Sequence, residues 1–272
     1  MIRTFFRYAA AIIILLIAII LLFSKKEHKD IYIPREYDEI KASGVLRAIT
    51  DYNSISLHLT GDTINGFDYE LLNTFAKDKG LRLEITPETS FEKRFEGIIQ
   101  GKYDVLATPT EVTSQLKDSL FFTRTILLSK QVLVQRKKEK GKDSLYIKRQ
   151  LDLANKHIHL IKNSPALLRM ENLMNEIADT IYIHEVARYT SEQLLAMVSA
   201  GEINYAVCDE KIAQSAVKDY PNLDIQTDLS FTQFYSWGVN KRSLALRDTL
   251  DQWLDKYMES KAYKTLYHKY FH

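Results

Sequence analysis

Two stretches, GKYDVLATPT (residues 101–110) and GEINYAVCDE (residues 201–210), carry one pattern twice, about a hundred residues apart. Each opens on Gly, places Asp104 or Asn204 three residues later, and runs through apolar side chains into polar ones. What precedes each copy is also repeated. Before the first, VLRAIT (45–50) reads as a strand, and GFDYELLNTFAKDKG (66–80) as a helix with Leu71, Leu72, Phe75 and Ala76 on one face and Gly80 as its stop. LRLEIT (81–86) alternates as a strand, SFEKRFEGIIQG (90–101) spaces Phe91, Phe95, Ile98 and Ile99 as a helix face, and YDVLAT (103–108) is a buried strand.

Before the second copy, IHLIK (158–162) reads as a strand, and SPALLRMENLMNEIAD (164–179) as a helix with Ser164 as N-cap and Pro165 in its first turn. TIYIHEV (180–186) is a strand, TSEQLLAMVSAG (190–201) a helix with a Thr190/Gln193 capping box, and INYAVCD (203–209) closes the unit. Strand–helix–strand–helix–strand, written twice, is the grammar of two open α/β sheets. Ligands of such sheets sit beyond the carboxyl ends of the strands, where Thr108, Thr110 and Asp209 fall. Asp209 reads equally as the N-cap of EKIAQSAV.

The chain has 272 residues, 46% of them apolar, enough for one large domain or two modest ones. Its 37 basic and 35 acidic residues nearly cancel, which leaves no basic stripe for a nucleic acid. Cys208 is the only cysteine, so no intrachain disulfide forms. Tyr8 to Phe23 is an unbroken apolar run of roughly 24 Å as a helix, and Phe5 and Phe6 extend it towards the roughly 30 Å of a bilayer core. No small-x-small cleavage site follows it, so the run reads as an uncleaved membrane anchor. Arg3 and Arg7 before it and Lys25, Lys26 and Lys29 after it leave the orientation undecided by charge.

The stretches GVLRAITDYNS, NGFDYELLNTFAKDKGLRLEI, FEGIIQGKYDVLA, KQVLVQRK, LLAMVSAGEINYAVCDE and SWGVNKRSLALRDTLDQWLDKYMESKAYKTLYHKYF together resemble the family 3 extracellular solute-binding proteins, from about Ser43 onward. Within that family the likeness is nearest to the solute-binding-like domain of membrane-bound lytic transglycosylase F. The resemblance implies an α/β, two-lobed type 2 periplasmic binding-protein fold, here with an N-terminal transmembrane helix. Residues 1–30 would be the anchor, 43–135 with 236–272 a discontinuous first lobe, and 136–235 the second. The chain would cross between lobes near 131–136 and 230–237, and FTQFYSWGVNK (231–241) would return as a strand. The basic stretch 136–150 reads as a solvated loop.

Amino-acid binders of this family hold the ligand carboxylate with an Arg of lobe one and the ammonium with an Asp of lobe two. Asp209 falls on the acid position, Phe91 on an aromatic that packs on the ligand, Tyr52 and Ser54 on the loop after the first strand, and Thr108 and Thr110 on the loop that lines the cleft. The family pattern T-x-E-R-K falls on TSQLK (113–117), which puts Gln115 and Leu116 where the acid and the Arg belong. Arg124 and Lys130 are nearby substitutes in sequence, and Asn163 with Ser164 offers a helix N-terminus to an anion.

The implied role is capture or sensing of a small molecule (an amino acid, a peptide or a muropeptide) outside the cytoplasmic membrane, with the anchor in that membrane and a transporter or a transglycosylase as partner. No cofactor is implied. The chain ends where the binding domain of this group is expected to end, so a catalytic domain is not expected. The competing class is enzymatic, a transglycosylase or a dehydratase-like activity, but no nucleophile elbow or paired catalytic carboxylate is visible. His157 and His159 alternate on one strand near His184, a spacing shared by metal sites and by ordinary strand positions.

Overall fold

The structure, a computed structural model, describes residues 32–138, 145–187 and 189–271. Among them no helix is long and apolar enough to cross a membrane, and the apolar run read above as an anchor lies outside the described residues. Residues Ile33–His272 form one compact unit of two lobes, each built on its own sheet.

Lobe one begins with a short helix, α1 (Tyr37–Ser43), stopped by Gly44 in the left-handed region. Strand β1 (Val45–Thr50) follows, then a small hairpin, β2 (His58–Thr60) and β3 (Thr63–Asn65). Helix α2 (Phe67–Asp78), β4 (Arg82–Pro87), α3 (Phe91–Ile99) and β5 (Val105–Glu111) complete the expected unit. A short helix α4 (Ser114–Ser119) and strands β6 (Leu120–Phe122) and β7 (Leu127–Ser129) lead to the crossing.

Lobe two holds β8 (Gln131–Arg136), β9 (His157–Ile161), α5 (Pro165–Ile177), β10 (Tyr182–Val186), α6 (Ser191–Ala200), β11 (Tyr205–Asp209), α7 (Glu210–Asp219) and β12 (Leu223–Asp228). The chain then returns to lobe one as β13 (Gln233–Asn240) and ends in helices α8 (Leu244–Tyr257) and α9 (Lys261–Phe271).

The first sheet runs β4-β1-β5-β13-β6, with β7 also on β13; the second runs β10-β9-β11-β8-β12. In each, the repeated strands are parallel, while β13 and β8 are antiparallel to β5 and β11. Strand β8 pairs with β11 and β12, so residues 131–135 belong to lobe two rather than to lobe one, and β13 carries 233–235 into lobe one. The passage between lobes is therefore shorter than the sequence alone suggests. Gln131 and the 229–230 segment hold it together: Leu229 N donates to Gln131 O at 2.8 Å, and Gln131 N to Ser230 Oγ at 2.9 Å.

The two copies of the repeat answer one structural need. Gly101 and Gly201 both sit in the left-handed region (φ 77° and 84°) at the end of a helix. At Gly101 a Cβ would also lie 2.2 Å from Pro34 N, so glycine is required twice over. Three residues on, Asp104 and Asn204 each hold an arginine from another strand before the chain enters β5 or β11.

Lobe one packs around Phe75, Trp237, Trp253 and Leu250, and α9 lays Tyr263, Tyr267 and Phe271 edge-on against Phe67. Lobe two has a core on either side of its sheet, one against α5 and one against α6 and α7. Each side removes continuous apolar area from water at about 25 cal/mol per Å².

One buried group makes the fold of lobe one sensitive to pH. Asp68 on α2 is fully buried; its Oδ1 accepts the Trp237 indole N–H at 2.8 Å, and its Oδ2 has no hydrogen-bond partner. Burial pushes this carboxyl from 3.8 up to about 8, against the pull of the Trp237 bond. The folded chain thus keeps a proton that the unfolded chain releases. Stability falls as pH rises from about 4 to about 8, by up to about 1.4 kcal/mol per pH unit from this group. Asp68→Asn keeps an acceptor for Trp237 and removes the titration, so its stability relative to wild type should rise between pH 5.5 and 7.5. Denaturant unfolding at the two pH values checks this; parallel pH dependence in both proteins would contradict it.

Candidate functional site

The carboxyl ends of β1, β5, β9 and β11 meet between the lobes around a cavity of about 120 Å³. Lobe one supplies the loop after β1, the N-terminal turn of α3 and the end of β5. Lobe two supplies the N-termini of α5, α6 and α7. The lobes touch directly across it: Ser54 N donates to Glu192 Oε1 at 2.8 Å, and Asn163 Nδ2 to Glu92 Oε2 at 3.3 Å. The lobes are thus in contact beside the cavity.

The loop after β1 is fixed before any ligand is considered. Asn53 Oδ1 accepts from Ile55 N and Ser56 N, an Asx turn, and Thr108 Oγ1 accepts from Asp51 N at 2.9 Å. Gly66 (φ 138°) lets α2 start beneath this loop; a Cβ there would stand 2.3 Å from Ser56 O. Thr110 Oγ1 donates back to Thr108 O at 2.9 Å, so these two hydroxyls shape the wall.

Asp209 does two things at once. Its Oδ1 accepts from Lys211 N at 2.8 Å and caps α7, as its sequence position foretold. Asp209 lines the cavity, and its Oδ2 is out of contact with solvent and without a hydrogen-bond partner. Burial raises this carboxyl above its ordinary value; the hydroxyls of Ser129 and Tyr235 temper the rise, though Ser129 Oγ is not placed to make a proper bond. Ser164 Oγ also lines the cavity without a partner, at the head of α5, which has no side-chain cap.

Of the nine residues expected at the site, Phe91, Thr108, Thr110, Ser164 and Asp209 line the cavity. Asn163 lines a wider groove of about 650 Å³ that shares Phe91, Ser164 and Pro165 with the cavity. Three do not line either. Tyr52 is 38% exposed and Ser54 contributes its backbone to the contact with Glu192. Arg124 is a plain correction: it pairs with Asp255 and donates its backbone N–H to Asp251 on α8, away from the cleft. Lys130 is spent on Asp228 at 2.7 Å and Glu210 at 3.5 Å. Leu116 lines the groove, not the cavity.

Sequence reasoning missed Arg94. Its side chain is 7% exposed, lines the cavity one turn from Phe91, and stands 6.0 Å from that ring's centroid. It pairs with Asp51 Oδ1 at 3.0 Å and donates to Glu88 O. Asp51 in turn is raised by burial and lowered by Arg94. The signal for it was its spacing: Arg94 shares a helix face with Phe91, Phe95 and Ile98.

The histidines lie elsewhere. His157 Nδ1 and His184 Nε2 are 2.8 Å apart, and the His159 and His184 rings stack at 4.9 Å, on the β9–β10 edge. Burial, more than its histidine neighbours, lowers His159. Among the described residues no three His, Cys, Asp or Glu side chains are placed to share a metal.

Two sheets joined by a two-segment crossing, with facing strand ends and a closable cavity, define a two-lobed solute-binding protein of the α/β type. Residues 45–272 match the family profile of the bacterial extracellular solute-binding proteins, family 3, and the chain belongs to that family.

Its curated relatives include membrane-bound lytic murein transglycosylase F of Desulfosudis oleivorans, 24% identical over 86% of this chain and 50% of that protein. The protein of the same name from Pseudomonas fluorescens is 26% identical over 88% and 48%. The chain thus spans about half the length of the curated relatives it matches. Among solved structures, a mutant of ArgBP from T. maritima superposes with a TM-score of 0.74 at 22% identity, covering 86% of this chain and 98% of that one. An ancestral amino acid-binding protein, a precursor of cyclohexadienyl dehydratase, gives 0.74 at 20% identity, covering 86% and 99%. These likenesses carry the two-lobed type 2 solute-binding fold.

Proposed function

We propose that this chain is a membrane-anchored, extracytoplasmic solute-binding protein that captures or senses a small amino-acid-, peptide- or peptidoglycan-derived ligand by closing its lobes. The observation that carries the reading is Asp209, which lines the cavity with a buried Oδ2 that has no partner, while Phe91, Thr108 and Thr110 line it from lobe one. A carboxylate held out of water without a partner is costly, and a ligand ammonium would satisfy it. Closure on a hinge of two short segments is the motion such lobes make around ligands. Support for the ligand class comes from fold relatives described as bound to arginine and to glutamine.

A second reading, a non-catalytic partner in peptidoglycan turnover, is favoured by curated relatives described as lytic murein transglycosylases. A thermal-shift screen of the full chain against amino acids, dipeptides and muropeptides tests the first. Stabilisation by one class is expected, and a flat response to all three would sink it. Incubation with purified peptidoglycan tests the role: no anhydro-muropeptides should be released.

The anchor belongs to this proposal too. The run Tyr8–Phe23 is apolar throughout, and the relatives are described as membrane-bound. The mature protein should keep that run, in a single pass of the cytoplasmic membrane, with the binding domain in the periplasm. Protease added to spheroplasts should digest the C-terminal domain; full protection, or a mature N-terminus near Ser24, would contradict it.

A further inference from the structure

Charge around the cleft is lopsided in a chain that is otherwise almost neutral, at +2. Among the described residues, the cavity is lined by two acids, Asp51 and Asp209, against one arginine, Arg94. The groove at its mouth is lined by three acids, Glu111, Glu171 and Glu176, against Arg169 alone. Neither is lined by a lysine.

The one cavity arginine is also committed. Arg94 is ion-paired to Asp51 and donates to Glu88 O, so its charge is already answered inside lobe one. At the mouth, Arg169 is held by Glu176 through two bonds, of 2.6 and 3.1 Å, and donates to Leu229 O. Among the charged residues that line the cavity, Asp209 keeps an oxygen, Oδ2, without a hydrogen-bond partner.

We infer that the cleft takes an organic cation, a primary amine whose carboxyl group is absent or blocked, with its ammonium on Asp209. This rests on the binding reading above and narrows its ligand. A free α-carboxylate would have to compete with Asp51 for Arg94 and would add a second negative charge to a cavity that already carries an excess of one. The head of α5 and Ser164 Oγ, the anion seat expected from the sequence, offer only a fractional positive charge and a hydroxyl, which the carbonyl of an amide can also use. The acidic mouth favours the approach of a cation.

The test pairs each amino acid with its carboxylate-free or carboxylate-blocked form. The full chain, in a mild nonionic detergent at pH 7.5, is titrated calorimetrically with agmatine against L-arginine and with L-alaninamide against L-alanine. In at least one pair the amine should bind about tenfold or more tightly than the acid. Parity or a preference for the acid in both pairs, or no binding by either member of either pair, overturns the inference. Dipeptides and muropeptides titrated alongside keep the two readings apart. If they bind while the amines do not, the cation proposal falls and the solute-binding reading stands; if nothing binds, both fall.

Two variants probe the cause. Asp51→Asn releases Arg94 and should narrow the preference for the amine by about tenfold, and an unchanged preference would refute the argument. Should that variant not fold, Arg94→Gln decides: amine binding should hold or tighten, whereas an arginine that grips the ligand predicts its loss.

Discussion

Replacing Asp104 by Ala should lower the stability of the protein by about 3–5 kcal/mol, read as a shift of the denaturant midpoint at constant slope. Its carboxylate has no solvent exposure and carries two guanidinium groups, those of Arg35 and Arg47, which are 19% and 23% exposed. Oδ1 accepts from Arg35 Nε at 3.1 Å and Arg47 Nη2 at 2.9 Å; Oδ2 accepts from the Arg47 backbone at 2.8 Å. Through these arms it ties the segment before α1, strand β1 and the turn before β5, because Arg35 also reaches Val45 O and Arg47 reaches Gly101 O. Removing it strands two half-buried cations at once. Asn204, at the same place in lobe two, bears a lighter load, accepting one bond from Arg136, at 2.7 Å, near the surface. Asn204→Ala should cost about 1 kcal/mol or less. Equal costs at the two positions would mean that the ion pairs contribute nothing beyond local backbone geometry.

The same contrast explains what the sequence could disclose. Gly101 and Gly201, and the strands that follow them, are legible because local rules govern them: a left-handed helix end, then a run of buried side chains. Asp209 was legible as a cap for the same reason, and its position at the cavity followed from where strands of such a sheet end. Arg94 was not. On the helix SFEKRFEG its spacing puts it on the apolar face, but its partners Asp51 and Glu88 are brought to it by the sheet order, which no local pattern discloses. Arg124 failed in the opposite way, being near the motif in sequence but facing α8 in space. The strand QVLVQR was recognisable as a strand, yet its sheet was decided by pairing with β11, some seventy residues onward, which no local pattern encodes.

Asp209→Asn should weaken binding of the cognate amine by about 2–5 kcal/mol, because the ligand's charge would be left buried and unpaired. The cap would survive: an Asn side chain still offers an oxygen to Lys211 N, so the folded chain should lose little stability. The substitution should even help the free protein. Burial holds the Asp209 carboxyl above its ordinary value, so the folded state favours the protonated form, and ionising it on the way up in pH costs stability that Asn does not lose. The ligand reverses that preference, since an ammonium on Oδ2 favours the charged carboxylate. Protons and cation therefore compete, and affinity should fall as pH drops below the raised value of Asp209. Asp51 and Glu111, both raised by burial as well, would contribute in the same direction. Calorimetry over a pH series falling from 7.5 on wild type and Asp209→Asn separates the parts. The wild type should lose affinity as the pH falls, and the variant should be weak throughout. Unchanged affinity in the variant would return Asp209 to capping α7 alone and move the ammonium site to Asp51.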